Sequence, residues 1–193
     1  GVAMAIMWLI VLIPVLAVGE ATNVAIGNEY GRRNLKGMKD VQLVSLALTG
    51  SYMVTMMLLG LAFWEPLSSF FNKNPEIVAY STATFRFLAV PYVFFTLGNT
   101  LRSLFIGTGK GLYFLIPSTI VNLGIYIPLG ILVKTGVFAP SFETLMVLSI
   151  AVFSSDLVIV SSLVLRQYRE LRKEFPDSPE VVPNPPGDLH PLV

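Results

Sequence analysis

The sequence contains no cysteine, one histidine and few charges. Without cysteine there is no disulfide, no thiolate metal site and no nucleophilic thiol. The lone histidine, His190, sits in a proline-rich stretch near the end of the chain, which excludes histidine triads and histidine metal clusters. There is no Walker A lysine motif. Gly107, Gly109 and Gly111 form GTGKG, but this lacks the phosphate-loop spacing and follows an apolar run instead of a strand, so it reads as a tight turn. No enzyme signature and no cofactor site are expected. Charge is the scarcest commodity: 13% of residues are Asp, Glu, Lys or Arg, where a soluble domain carries about a quarter. With 54% hydrophobic residues and a mean hydropathy of +0.71, that deficit decides the class as an integral membrane protein.

The apolar residues fall in five segments, near Val2–Ile26, Val41–Trp64, Ala79–Leu101, Leu112–Val133 and Leu145–Leu165. Each is long enough to cross a hydrocarbon core as a helix, which takes about 20 residues. None alternates with period 2, and an open sheet facing lipid would leave backbone groups unpaired. The fold class is therefore all-α, a polytopic transmembrane helical bundle. Residues 1–175 are expected to form one helical lobe and residues 176–193, rich in proline, a disordered tail. Gly1 already lies in an apolar run with no charged segment ahead of it, so the chain is expected to begin partway into a larger protein rather than with a signal peptide.

Charge placement is lopsided. Arg32, Arg33, Lys36 and Lys39 follow the first span, Arg102 and Lys110 flank the turn after the third, and Arg166, Arg169, Arg172 and Lys173 follow the fifth. The opposite connections hold only Lys73 and Lys134. The positive-inside rule puts the basic loops and the tail in the cytoplasm, of a protein expected in the plasma membrane. RQYRELRKEF after the fifth span is either an ordinary basic flank or a segment touching anionic headgroups. EPLSSFFNKNPEIVAY, between the second and third spans, is expected as a short interfacial helix. Pro14, Pro91, Pro117 and Pro128 lie within spans, as packing kinks or as bending points of a moving bundle.

Three ionisable residues lie inside spans: Glu20, Arg86 and Asp156. Such groups are costly in lipid and face a bundle interior or a wet cavity. Glu20, Asn23 and Gly27 share one helical stripe, so Glu20 is either a proton- or cation-linked carboxylate or a hydrogen-bonding partner for a neighbouring helix. Arg86 and Asp156 occupy spans of the same direction at similar depth and are expected to pair, for assembly or for transport. Asn99 and Asn122 are cavity-lining or helix-bridging amides. Gly27 and Gly31 match a small-xxx-small contact.

ATNVAIGNEYGRRNLKG, with Ala21, Gly27, Asn28, Gly31 and Lys36, resembles the motif closing the second or eighth helix of multidrug and toxic compound extrusion (MATE) transporters. FRFLAVPYVFFTLGNTLRSLFIGTGK, with Pro91, Arg102, Gly107 and Gly109, is similar to that family's fourth or tenth helix and exit turn. PSTIVNLGIYIPLGIL, with Pro117 and Asn122, is similar to the helix that follows, and the three stretches come in family order over about residues 10–135. The resemblance implies about five spans of a six-helix lobe, the second of two, in a protein whose cavity lies between lobes. It implies exchange of small cationic or amphipathic solutes against H⁺ or Na⁺, with the lipid bilayer and the other lobe as partners and no nucleic acid. The chain departs from the family pattern at Arg32–Arg33, where a small-acidic step is usual, and at Glu20, where a small apolar residue is usual. Na⁺-coupled members place an acid in the helix where this chain has only Arg86, so coupling rests on the absent lobe or on Glu20. Two alternatives stay open: a lipid-linked polysaccharide flippase of the same architecture, and a nontransporting membrane scaffold.

Overall fold

The computed structural model describes residues 6–139 and 141–176. A π-helical turn, Met7–Leu12, leads into α1 (Ile13–Gly31). It is followed by α2 (Leu35–Phe71), α3 (Pro75–Gly107), α4 (Gly111–Lys134) and α5 (Phe142–Glu174). There is no strand among the described residues. Helices α2 to α5 are each long and apolar enough to cross a membrane. The expected first span, near Val2–Ile26, starts outside the described residues, and its described part is helical as far as Gly31. The expected tail from 177 onward also lies outside them.

Local chemistry sets the helix ends. Asn34, Asn74 and Ser141 cap α2, α3 and α5, each accepting a backbone N–H of the first turn. At the end of α3, Gly109 has φ +72°, and Lys110 N–H donates to the Phe105 carbonyl, the Schellman closure that a left-handed residue permits. The GTGKG turn is thus what its glycines predict. Helix α1 closes the same way, with Arg33 at φ 55° in the left-handed position and Asn34 N–H on the Glu29 carbonyl. Pro14 and Pro128 each follow a π-helical stretch, Met7–Leu12 and Asn122–Tyr126. A proline lacks its own N–H and crowds the carbonyl four residues back, so the helix widens just ahead of it.

The expected interfacial helix between the second and third spans does not exist as an element. Helix α2 runs on through Pro66 to Phe71, and α3 starts at Pro75. The two long helices are tied there by Trp64 Nε1–H to the Ser81 hydroxyl (3.1 Å) and by the Ser68–Ser81 hydroxyl pair (2.9 Å). The Trp64 ring stacks on Phe85 at 3.9 Å, over Gly60, where a methyl group would collide with that ring. Burying those rings outweighs the one hydrogen bond lost at Pro66.

Helix α3 is the central element, in contact with all four others. Two apolar clusters hold the bundle. One joins Leu12, Val15, Met53, Trp64, Phe85 and Tyr92, and the other, toward the basic loops, joins Ile26, Met38, Leu104, Phe105, Val160 and Leu171. Between them lies a layer of buried polar side chains. Helix α4 is the least embedded, with only Pro117 and Val121 buried among its described residues.

Candidate functional site

The polar layer is built from stripes legible at helical spacing: Gln42, Ser45 and Thr49 on α2, and Thr96, Thr100 and Ser103 on α3, all buried. The Thr22 hydroxyl meets Ser45 Oγ at 2.7 Å, Thr100 Oγ1 meets Thr49 Oγ1 at 3.1 Å, and Gln42 Nε2 donates to the Thr100 carbonyl at 2.9 Å. Ser103 Oγ donates to the Gly19 carbonyl across to α1. These contacts are possible because α1 and α3 cross at glycines. A Cβ on Gly107 would sit 2.8 Å from the Asn23 carbonyl, and one on Gly27 would sit 3.3 Å from the Gly107 carbonyl. Gly27 is therefore the small-residue contact expected of it. Gly31 is not, since nothing lies within 4 Å of a Cβ placed there.

Arg102 and Asp156 form the one buried ion pair among the described residues, at 2.5 Å. The guanidinium also lies over the Phe114 ring of α4, its centre 5.8 Å from the ring centroid, so this side chain joins α3, α5 and α4. This corrects the expected Arg86–Asp156 pair and the expected position of Arg102 in a loop flank. Two facts explain both errors. Helix α3 continues to Gly107, so Arg102 stands more than a turn inside it. And α5 is staggered along α3: Phe142 at its start already packs on Tyr80 and Phe87, while Phe153 packs on Tyr92 and Phe95. That register brings Asp156 to Gly98, where a Cβ would be 3.4 Å from Oδ2, and hence to Arg102 one turn further on. Extending the third span to its glycine cap would have revealed Arg102 in the sequence.

Arg86 instead lines an open cleft of about 430 Å³ between the end of α2 and the start of α3, with Glu65, Ser69 and Lys73. Asn122 is exposed at the π-helical stretch of α4, and its Nδ2 donates to the Ser118 carbonyl of its own helix. The structure does not bring either to the polar layer's α1 edge. Glu20 and Asn23 meet there, with Asn99 approaching α1 at Gly19. Asn23 Nδ2 donates to Glu20 Oε2 at 3.1 Å, its own Oδ1 is buried without a partner, and Asn99 Nδ2 lies 3.6 Å from a Cβ placed on Gly19. Glu20 is exposed on the bundle surface and pairs with no cation among the described residues. It lies about 16 Å along α1 from Gly31. The two acids therefore differ in kind. Asp156 is neutralised and fixed by Arg102, whereas Glu20 is exposed and accepts from the Asn23 amide, whose own oxygen is buried without a partner.

No curated protein and no solved structure matches the chain. A family model described as MatE matches residues 1–132, which takes in α1 to α3, most of α4, the glycine crossing and the Glu20 edge, and leaves α5 outside. With that match over more than half its length, and with a helical bundle able to span a membrane, the chain belongs to the MatE family of membrane transporters.

Proposed function

We propose that this chain forms the helical lobe of a secondary-active antiporter that exports cationic or amphipathic solutes against H⁺ or Na⁺. The observation that carries this reading is the Glu20–Asn23 edge of α1. An acid in the span, unpaired by any described cation and turned outward from the bundle, needs water, an ion or an opposing lobe to be tolerated in hydrocarbon. A cavity between two lobes supplies all three. Glu20 then exchanges the coupling ion, Asn23 and Asn99 bond to it or to solute, and the Arg102–Asp156 pair keeps the lobe rigid while it moves. Basic loops on the cytoplasmic side set the orientation of the lobe in the membrane.

In the full-length protein, Glu20→Gln is expected to lower ion-driven dye efflux from everted membrane vesicles at least about tenfold with normal expression, the loss that removing an essential coupling group entails. Unchanged efflux removes Glu20 from the mechanism. The flippase reading draws its support from Lys73 and Arg86 in the α2–α3 cleft, since a pyrophosphate group needs cations, but Glu65 shares that cleft and offsets one of them. Flippase activity would require Arg86→Ala to be the disabling change and Glu20→Gln to be silent.

A further inference from the structure

A second cleft, of about 400 Å³, runs between α2 and α5 at the basic end of the bundle. Its rim carries Lys39, Arg169 and Arg172, and its floor includes Leu43, Leu46 and Leu165. No described acid pairs with any of these three cations. Glu170, the neighbouring acid on α5, is engaged by Arg166 and Lys110. Lys39 is instead held over the Tyr168 ring, 5.8 Å from its centroid, which fixes the ammonium at the rim. Along both helices the leucines extend about 10 Å from the cations toward the middle of the bundle. Leu43 and Leu165 are 63% and 60% exposed, so the floor is open from the side.

We propose that this cleft is a binding site for one anionic phospholipid of the leaflet on the basic side, its phosphate on Lys39, Arg169 and Arg172 and an acyl chain along the leucines. Charge complementarity selects this occupant: three unneutralised cations above an apolar trough match an anionic headgroup above a hydrocarbon tail. A soluble phosphate would leave the trough uncovered, and a zwitterionic lipid would leave the excess positive charge unmet. The site does not depend on the antiport reading.

The test is native mass spectrometry of the full-length protein in detergent, titrated with phosphatidylglycerol or with phosphatidylcholine of the same chains. Phosphatidylglycerol is expected to bind at least about tenfold more tightly, each basic side chain near an anionic group contributing several-fold. The triple variant Lys39→Gln, Arg169→Gln, Arg172→Gln is expected to erase that preference. A matched variant, Arg32→Gln, Lys36→Gln, Lys173→Gln, removes the same charge from the same end and is expected to keep it. Leu43→Trp, at an exposed position that tolerates the change, is expected to block the trough and weaken binding with every charge in place. Equal binding of the two lipids overturns the site, as does an equal loss in the matched variant, or indifference to Leu43→Trp. A dimer that forms without lipid and dissolves in the first triple variant would assign the cleft to a second copy and also overturn it.

Discussion

Arg102 and Asp156 show how little the presence of an ion pair says about function. Both are buried, at 5% and 7% exposure, and each removes the other's charge from the interior. Losing one partner leaves an uncompensated charge at a cost of about 3–5 kcal/mol, whereas losing both can be nearly neutral. Arg102→Met and Asp156→Leu are therefore each expected to lower the melting temperature in detergent sharply, and the double variant to recover most of the loss. Additive losses would mean that the contact does not govern stability. Glu20 is the converse case, a carboxylate whose removal is expected to leave stability alone and to change transport. Glu20, Arg86 and Asp156 could be listed from the sequence as ionisable residues inside spans, but Arg102 was missed and no partner could be read. Pairing depends on helix register, and the stagger of α5 along α3 is set by Phe142 and Phe153 finding aromatic neighbours, a choice no single span encodes.

At the scale of the helices, what could be read was what local chemistry decides. The Gly109 turn, the helical state of the apolar segments among the described residues and the close approach at Gly27 follow from backbone freedom, hydropathy and small-residue spacing. What could not be read was where tertiary contact overrides a local signal. Pro66 looks like a break, yet α2 passes through it because Trp64 and Ser68 are anchored on α3. Glycine at the α1–α3 crossing carries its own prediction. Gly107→Ala would drive a methyl group to 2.8 Å from the Asn23 carbonyl and the Ile26 side chain, which is expected to destabilise by about 1–3 kcal/mol. Gly31→Ala meets nothing within 4 Å and is expected to stay within about 0.5 kcal/mol of the parent. Thermal unfolding of the two variants side by side checks the contrast.

At the scale of the whole chain, the lack of cysteine in its 193 residues makes a thiol introduced there unique within them. If the positive-inside rule sets the orientation, Lys134→Cys on intact cells is expected to react with a membrane-impermeant maleimide, and Lys36→Cys only after lysis. The reverse pattern would invert the orientation and move the proposed lipid to the other leaflet. A last consequence lies in the hydroxyls between the two apolar clusters. Thr22, Thr49, Thr96 and Thr100 each have a carbonyl of their own helix within reach of their single hydroxyl proton, at Val18, Ser45, Val93 and Thr96. Should α1 or α2 tilt away from α3, those hydroxyls stay satisfied at home, whereas the Gln42 amide and the Ser103 hydroxyl lose the Thr100 and Gly19 carbonyls. What latches the middle of the lobe is therefore one amide and one hydroxyl, while the threonines around them carry no penalty when the latch is lifted.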